Sequence, residues 1–382
     1  MIIALNLVLL ILIVGSVVFY LWCAIATAQF FATPKPEEKF NIKPVSVLIP
    51  VCGVDDDARK KWESLCQQDY ENYEVLFGVM NPNDPAIPVI KELVDKYHNR
   101  ARLCWCLEVC GINYQISNLM HLLKAAQHEL IVFTDSDVYA LPHYLKTVIS
   151  PLADPSIGLV TCSYGVKSPK FLIPALVGLG RCIDNIPSVL LARQMNGGSL
   201  WFAFGATMAT RKSVLAQVGG LESVVDRIGT DYFIGNMVLN AGYRVELSQY
   251  ILETDDGSQS FQQLFQRELR WAITIRRTQG LLYYGNAFTY GTVYSIALVL
   301  LTGFQSWSVI VLSIAVAVRI IQALVAIYSI GYSKLLFWLW ALPLRDLLSF
   351  ILFIGGAFGS NVYWRGRRLQ IGKSGILKEQ ES

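Results

Sequence analysis

The chain has 382 residues, of which 53% are hydrophobic and 16% charged, with a formal net charge of +3. That length suffices for a soluble domain with a large core and for membrane segments besides. The small net charge argues against a dedicated nucleic-acid binder, so no nucleic-acid partner is expected. Eight cysteines over this length do not suggest a disulfide framework. Cys104, Cys106 and Cys110 lie close together, but no second Cys/His pair has zinc-ligand spacing, and buried thiols are the expected role.

The first 31 residues, MIIALNLVLLILIVGSVVFYLWCAIATAQFF, carry no charged side chain. The run is longer than a signal-peptide core and lacks its basic start. It predicts a membrane-spanning helix over residues 1–32, since a span needs about 20 apolar residues. Lys35, Lys39 and Lys43 follow it, with no basic side chain before it. The positive-inside rule then puts residues from 35 onward in the cytoplasm.

Residues 33–280 alternate between strand and helix patterns. PVSVLIPVCG is a β-branched run ending in a turn, hence a buried strand. DDDARKKWESLCQQ reads as a helix whose first acids suit the helix dipole. NYEVLFGVM is a second strand, and DPAIPVIKELVDKY a second helix with prolines tolerated in its first turn. ARLCWCLEV, QISNLMHLLKAAQ and LIVFTDSD continue as strand, helix and strand. This order predicts an α/β domain with a mainly parallel, Rossmann-like sheet and helices on both faces. Ligands of such sheets sit at the carboxyl ends of the strands. Asp55 follows the first strand there, and Asp135 and Asp137 follow the fourth.

Asp135-Ser136-Asp137 puts two like charges one residue apart at a strand end. Hard dications such as Mg²⁺ or Mn²⁺ take oxygen ligands and retain waters and substrate phosphates, so one reading is a metal site facing a diphosphate. The other is a turn followed by a helix cap, since Asp is common in both. Gly229-Thr230-Asp231 opens a later helical run, where Asp231 is either functional or a favourable N-terminal charge. In FQRELRWAITIRR, Arg267, Arg270 and Trp271 fall at i, i+3 and i+4 and share a helix face. Guanidinium forks beside a large aromatic suit a diphosphate and its leaving group. They equally suit a helix at lipid headgroup level.

A second apolar block occupies residues 281–364. FTYGTVYSIALVLLTGF and WSVIVLSIAVAVRIIQALVAIYSI read as two spans. LLFWLWALPLRDLLSFILFIGGAFGSNVYW reads as two short passes, or as an interfacial helix and one pass, with Arg345-Asp346 as a buried pair or an interfacial turn. Residues 365–382 form a tail that begins basic, with Arg365, Arg367, Arg368 and Lys373, expected in the cytoplasm.

Taken together, CGVDDD, YENYEVLFGV, DPAIPVIKEL, GINYQISNLM, FTDSDVYALPHYL, GTDYFIGNMVLNAGYRV and RELRW resemble the GT-A fold of processive and lipid-modifying glycosyltransferases, and most closely the ceramide glucosyltransferase family. The match runs in the family's order over about residues 44–276, and the flanking apolar helices match as well. The resemblance implies a cytosol-facing, inverting transfer of glucose from UDP-glucose to a membrane lipid hydroxyl. It implies Asp55 on the uridine side, Asp135 in the nucleotide–metal region, Asp231 as base, and Arg267, Arg270 and Trp271 as the terminal motif. Animal members resemble Asp-Ser-Gly where this chain has Asp135-Ser136-Asp137, so Asp137 completes a fuller metal motif. They have Glu-Asp where this chain has Thr230-Asp231. Residues 168–211 match only at their end. Bacterial relatives associated with hopanoids, thought to transfer an N-acetylated sugar, look equally close.

The sequence therefore leads to an integral, multi-pass membrane enzyme with its catalytic domain facing the cytoplasm, in the plasma membrane of a bacterium or the Golgi or ER of a eukaryote. Mg²⁺ or Mn²⁺ and a UDP-sugar are the expected cofactor and donor, and a ceramide, hopanoid or diacylglycerol-like lipid the expected acceptor. The rivals are a polysaccharide synthase and a non-catalytic membrane scaffold. Retention of Asp231 and of the Arg-Trp pair counts against the scaffold.

Overall fold

The computed structural model describes residues 2–34, 43–254, 260–364 and 366–379. Lys35, Lys39 and Arg365, three of the charges behind the expected orientation, lie outside the described residues. Packing groups the chain into two units: residues 1–34, 165–195 and 256–367 form one, and residues 35–164, 196–255 and 368–382 the other. The expected boundary near 280 follows hydropathy. Packing instead assigns residues 165–195 and the helix carrying Arg267 to the unit that holds the apolar ends.

In chain order, the apolar helix α1 (Ile2–Ala32) belongs to the helical unit. The α/β unit opens with β1 (Val45–Val51), α2 (Ala58–Cys66), β2 (Tyr73–Val79), α3 (Ala86–Lys96), β3 (Ala101–Trp105), α4 (Tyr114–Ala125) and β4 (Leu130–Thr134). The first four strands are parallel and run β3-β2-β1-β4, with Val45 opposite both Tyr73 and Leu130 and Val75 opposite Ala101. β1, β2 and β4 are almost wholly buried, as near-continuous apolar runs in parallel sheets must be. Alternate residues split between two faces. Val45, Val47 and Ile49 pack with Trp62 of α2 and Ile90 of α3. On the other face, Asn118 of α4 donates to the carbonyl of Gly78 at 2.8 Å. Helices thus cover both faces, as the alternation predicts.

The unit continues through β5 (Val138–Tyr139), α5 (Tyr144–Ile149) and β6 (Ile157–Gly165). The chain then gives α6 (Leu172–Leu179) and α7 (Ile186–Met195) to the helical unit, and returns with β7 (Thr207–Arg211), α8 (Lys212–Gln217), α9 (Thr230–Asn240) and β8 (Arg244–Thr254). β7 joins β4 antiparallel, with Thr134 opposite Thr207, and the order continues β7-β6-β8-β5. The sheet is therefore mixed: its parallel half carries the strand ends expected to bind ligand, and its antiparallel half extends it.

The remaining elements are α10 (Phe261–Gln279), α11 (Gly291–Leu301), α12 (Ser306–Ile330), α13 (Leu342–Phe358), β9 (Asn361–Trp364), β10 (Arg367–Ile371) and β11 (Leu377–Glu379). Among the described residues, four helical segments are long and apolar enough to cross a membrane: Ile3–Ala32, Leu172–Met195, Ser306–Ile330 and Ser333–Phe358. The span expected around residues 288–304 is instead the 11-residue α11, which at about 1.5 Å per residue falls well short of a bilayer core of about 30 Å. Within residues 168–211, where Gly and Pro suggest an interrupted stretch suited to the membrane interface, residues 172–195 are helical throughout, with a π turn at Gly180–Asn185. Arg345 and Asp346 are both buried in α13 and pair with different partners: Arg345 with Glu268 at 2.8 Å, Asp346 with Arg319 at 2.6 Å.

Candidate active site

Asp135 and Asp137 leave β4 through a two-residue turn that leads into β5. Three contacts hold this turn. Gln115, in the first turn of α4, donates to Asp135 Oδ1 at 2.9 Å. The buried indole of Trp62 donates to the carbonyl of Ser136 at 2.9 Å. Thr134, one residue upstream, donates to the carbonyl of Ala206 at 3.0 Å. Asp137 is exposed at the surface of this turn.

Asp231 stands at the start of α9, partly buried. Its Oδ2 accepts the amide of Gly205 and its Oδ1 that of Tyr232, each at 2.9 Å. Burial pushes the carboxyl above the ordinary Asp value, against the lowering effect of those two amides. Gly205 precedes Ala206, whose carbonyl holds Thr134, so a short chain of bonds joins Asp231 to the turn carrying Asp135. α9 reaches that loop because Gly235 has no side chain: a Cβ there would lie 2.5 Å from the carbonyl carbon of Phe202.

The head of α4 ties the two acids from the other side. The side chain of Asn113 caps α4 by accepting from the Ile116 amide at 3.2 Å, and donates to the carbonyl of Arg227 at 2.7 Å. The Ile112 amide donates to Asp226 at 2.9 Å. One turn of chain thus fixes Asp135 through Gln115 and the approach to α9 through Asn113. Asp55 is exposed in the loop after β1. That loop is anchored by the buried Asp84, whose carboxylate accepts the Gly53 amide at 3.1 Å.

Among the described residues no cluster of three or more His, Cys, Asp or Glu side chains forms a metal cage. Two carboxylates at a strand end, one exposed, nevertheless fit Mg²⁺ or Mn²⁺, which are commonly held by one or two carboxylates with waters and substrate phosphates completing the shell.

In the helical unit, α10 begins with a capping box formed by Ser260 and Gln263. The Arg267 guanidinium lies 5.2 Å from the centroid of the Trp271 ring, and Arg270 lies 5.8 Å from that of Trp364. Arg181, which the sequence reading did not single out, lies 4.5 Å from the same Trp271 ring. Gln115, Asn113 and Gly205 were also missed as site residues. The GINYQ stretch carried a signal for the first two; Gly205 acts through its backbone, which no side-chain pattern reveals.

Residues 8–377 match glycosyl transferase family 21. The chain belongs to this family. Ceramide glucosyltransferase 3 of Caenorhabditis elegans is 24% identical over 262 residues, covering 65% of this chain and 54% of the relative. Ceramide glucosyltransferase 1 of the same organism is 23% identical over 239 residues, covering 62% and 51%. The chain thus spans about half the length of these curated relatives. Among solved structures, the mannosyltransferase PcManGT of Pyrobaculum calidifontis, in complex with GDP-Man and Mn²⁺, aligns with a TM-score of 0.57 at 18% identity, covering 94% of this chain and 98% of its own. For this family 21 member, that likeness supports the GT-A type of fold.

Proposed function

We propose that the protein is a membrane-bound inverting hexosyltransferase that moves glucose from UDP-glucose to the hydroxyl of a ceramide-type lipid. The observation that carries this reading is Asp231: a partly buried carboxylate with a raised pKa, fixed by two amides and linked through Gly205 and Thr134 to the acids at the end of β4. A general base works best with a pKa closer to the working pH than an ordinary Asp has. Family membership and the two C. elegans ceramide glucosyltransferases support the sugar and the lipid class.

In this reading the acceptor hydroxyl attacks the anomeric carbon as its proton passes to Asp231. The bond to the UDP oxygen breaks with the electron pair leaving on the diphosphate, so a single displacement inverts the centre. Asp135 and Asp137 would hold Mg²⁺ or Mn²⁺, which when bound offsets charge on the diphosphate. Arg267 and Arg270, braced by Trp271 and Trp364, are assigned to the same developing charge. Asp55 is assigned to the uridine. The apolar helices are read as membrane-embedded and the α/β unit as cytoplasmic, where nucleotide sugars are made. The test is to incubate purified protein with a panel of UDP-sugars, a total lipid extract and Mn²⁺, and to read new lipid species by mass spectrometry. A single added hexose from UDP-glucose supports the reading. An added N-acetylhexosamine or a growing polymer would replace it with one of its rivals.

A further inference from the structure

The π turn at Gly180–Asn185 interrupts an otherwise regular helical segment. Such turns are rare and concentrate at functional sites. This one reaches the RELRW stretch of α10 directly at Trp271 and, through Arg345, at Glu268. Arg181, almost wholly buried, stacks on Trp271, the last residue of that stretch. Asp184 pairs through Oδ1 with Arg319 at 2.5 Å and through Oδ2 with Arg345 at 3.7 Å. Arg345 in turn pairs with Glu268, the neighbour of Arg267, at 2.8 Å. Gln322 also donates to the carbonyl of Ile183 at 2.7 Å, holding the turn against α12. The turn admits the Arg345 side chain because Gly180 is bare: a Cβ would lie 2.5 Å from the guanidinium carbon.

Buried charges are tolerated only when paired, so this network has little freedom to rearrange. It constrains α10 at Glu268 and at Trp271, and Arg267 and Arg270 lie between or beside those points. Arg181 and Arg267 both approach the Trp271 indole.

We infer that the π turn is the positioning element for the diphosphate-binding end of α10, with Arg181 acting as a positioning residue through Trp271. The inference rests on the proposed assignment of α10 to the departing diphosphate. The test uses the full chain in detergent and compares wild type, Arg181→Met and Arg181→Lys. The readouts are UDP affinity with Mn²⁺ by calorimetry, kcat, the KM for lipid, and the melting temperature. Losing a desolvated cation–π contact should weaken UDP binding and lower kcat by about two- to thirtyfold in Arg181→Met. The lipid KM should stay near wild type, and both variants should remain folded, with a melting temperature lowered only by the lost Arg181–Trp271 contact. Arg181→Lys keeps the charge without the plane, and should recover part of both losses. Wild-type UDP affinity and kcat in both variants would overturn the inference while leaving the proposed function standing. A wild-type protein that binds no UDP would instead overturn the proposed function, and the inference with it.

Discussion

Asp231→Asn separates the chemistry from the fold. The amide is nearly isosteric but cannot accept a proton, and loss of a general base costs about 10²- to 10⁴-fold in rate. Its structural effect is the sum of two opposed terms. Asp231 accepts amides at both oxygens, from Gly205 and Tyr232. An Asn can accept only one of them and sets its own NH₂ against the other, a loss of about 1–3 kcal/mol for a buried unsatisfied group. Against this, the folded-state pKa of Asp231 is raised by burial. A raised pKa means that the protonated form stabilises the fold at low pH, and that this contribution is lost as pH rises through the folded pKa. At neutral pH the ionised carboxylate is therefore a net cost, which the neutral amide removes. The variant should remain folded, with UDP affinity close to wild type and transfer down by at least about 10²-fold. The assay is hexosyl transfer to lipid across pH, read beside a melting curve and UDP calorimetry. Wild-type kcat/KM should fall on the acid side as Asp231 takes up its proton, and the residual Asn rate should lack that limb. A folded Asn variant with wild-type transfer would refute the role of Asp231 as base.

A chelator should stop turnover and Mn²⁺ or Mg²⁺ should restore it, and Asp137→Ala should weaken UDP binding more with metal present than without. Full activity in excess chelator would make the Asp135–Asp137 turn a structural one. Gly235→Ala should destabilise the fold by about 1–3 kcal/mol, because its Cβ would press on the Phe202 backbone, and should reduce transfer beyond that by displacing the Gly205 amide; an unchanged melting curve would contradict this packing. Cys52 is exposed in the loop after β1. In sealed right-side-out vesicles an impermeant thiol reagent should reach it only after the membrane is opened, with Cys52→Ser as control, whereas labelling beforehand would reverse the proposed orientation. A single cysteine placed at Ser258 or near Ser382 would report the same orientation; both positions lie outside the described residues.

The parallel half of the sheet was legible because β-branched runs such as VSVLIPV are buried on both faces, and the helices between them are long enough for parallel crossovers. The ligand edge followed from that. The order β7-β6-β8-β5 was not legible, since it depends on pairings distant in sequence. In residues 172–195 Pro174 and Pro187 look like breaks, yet Pro174 lies in the first turn of α6, where no intrahelical N–H is lost, and Pro187 is accommodated by the π turn before it, with the Ile183 carbonyl taken up by Gln322. Arg345 and Asp346 suggested a pair by adjacency. Successive residues on a helix point about 100° apart, so each met a different partner. Asp231 and the Arg-Trp stretch were found by motif. The contacts that hold Asp231, Asp135 and Trp271 in place come from Gly205, Gln115 and Arg181 respectively, which are distant in sequence and partly backbone.

The most direct test of inverting transfer to lipid supplies purified protein in nanodiscs with Mn²⁺, isotopically labelled UDP-glucose and ceramide, and reads the product by mass spectrometry and the anomeric linkage by NMR. UDP-glucose carries an α-linked sugar. The account predicts a single labelled hexose on the lipid hydroxyl in β linkage, formed at least about 10²-fold more slowly with Asp231→Asn. An α-linked product, or labelled glucose released only to water, would contradict it.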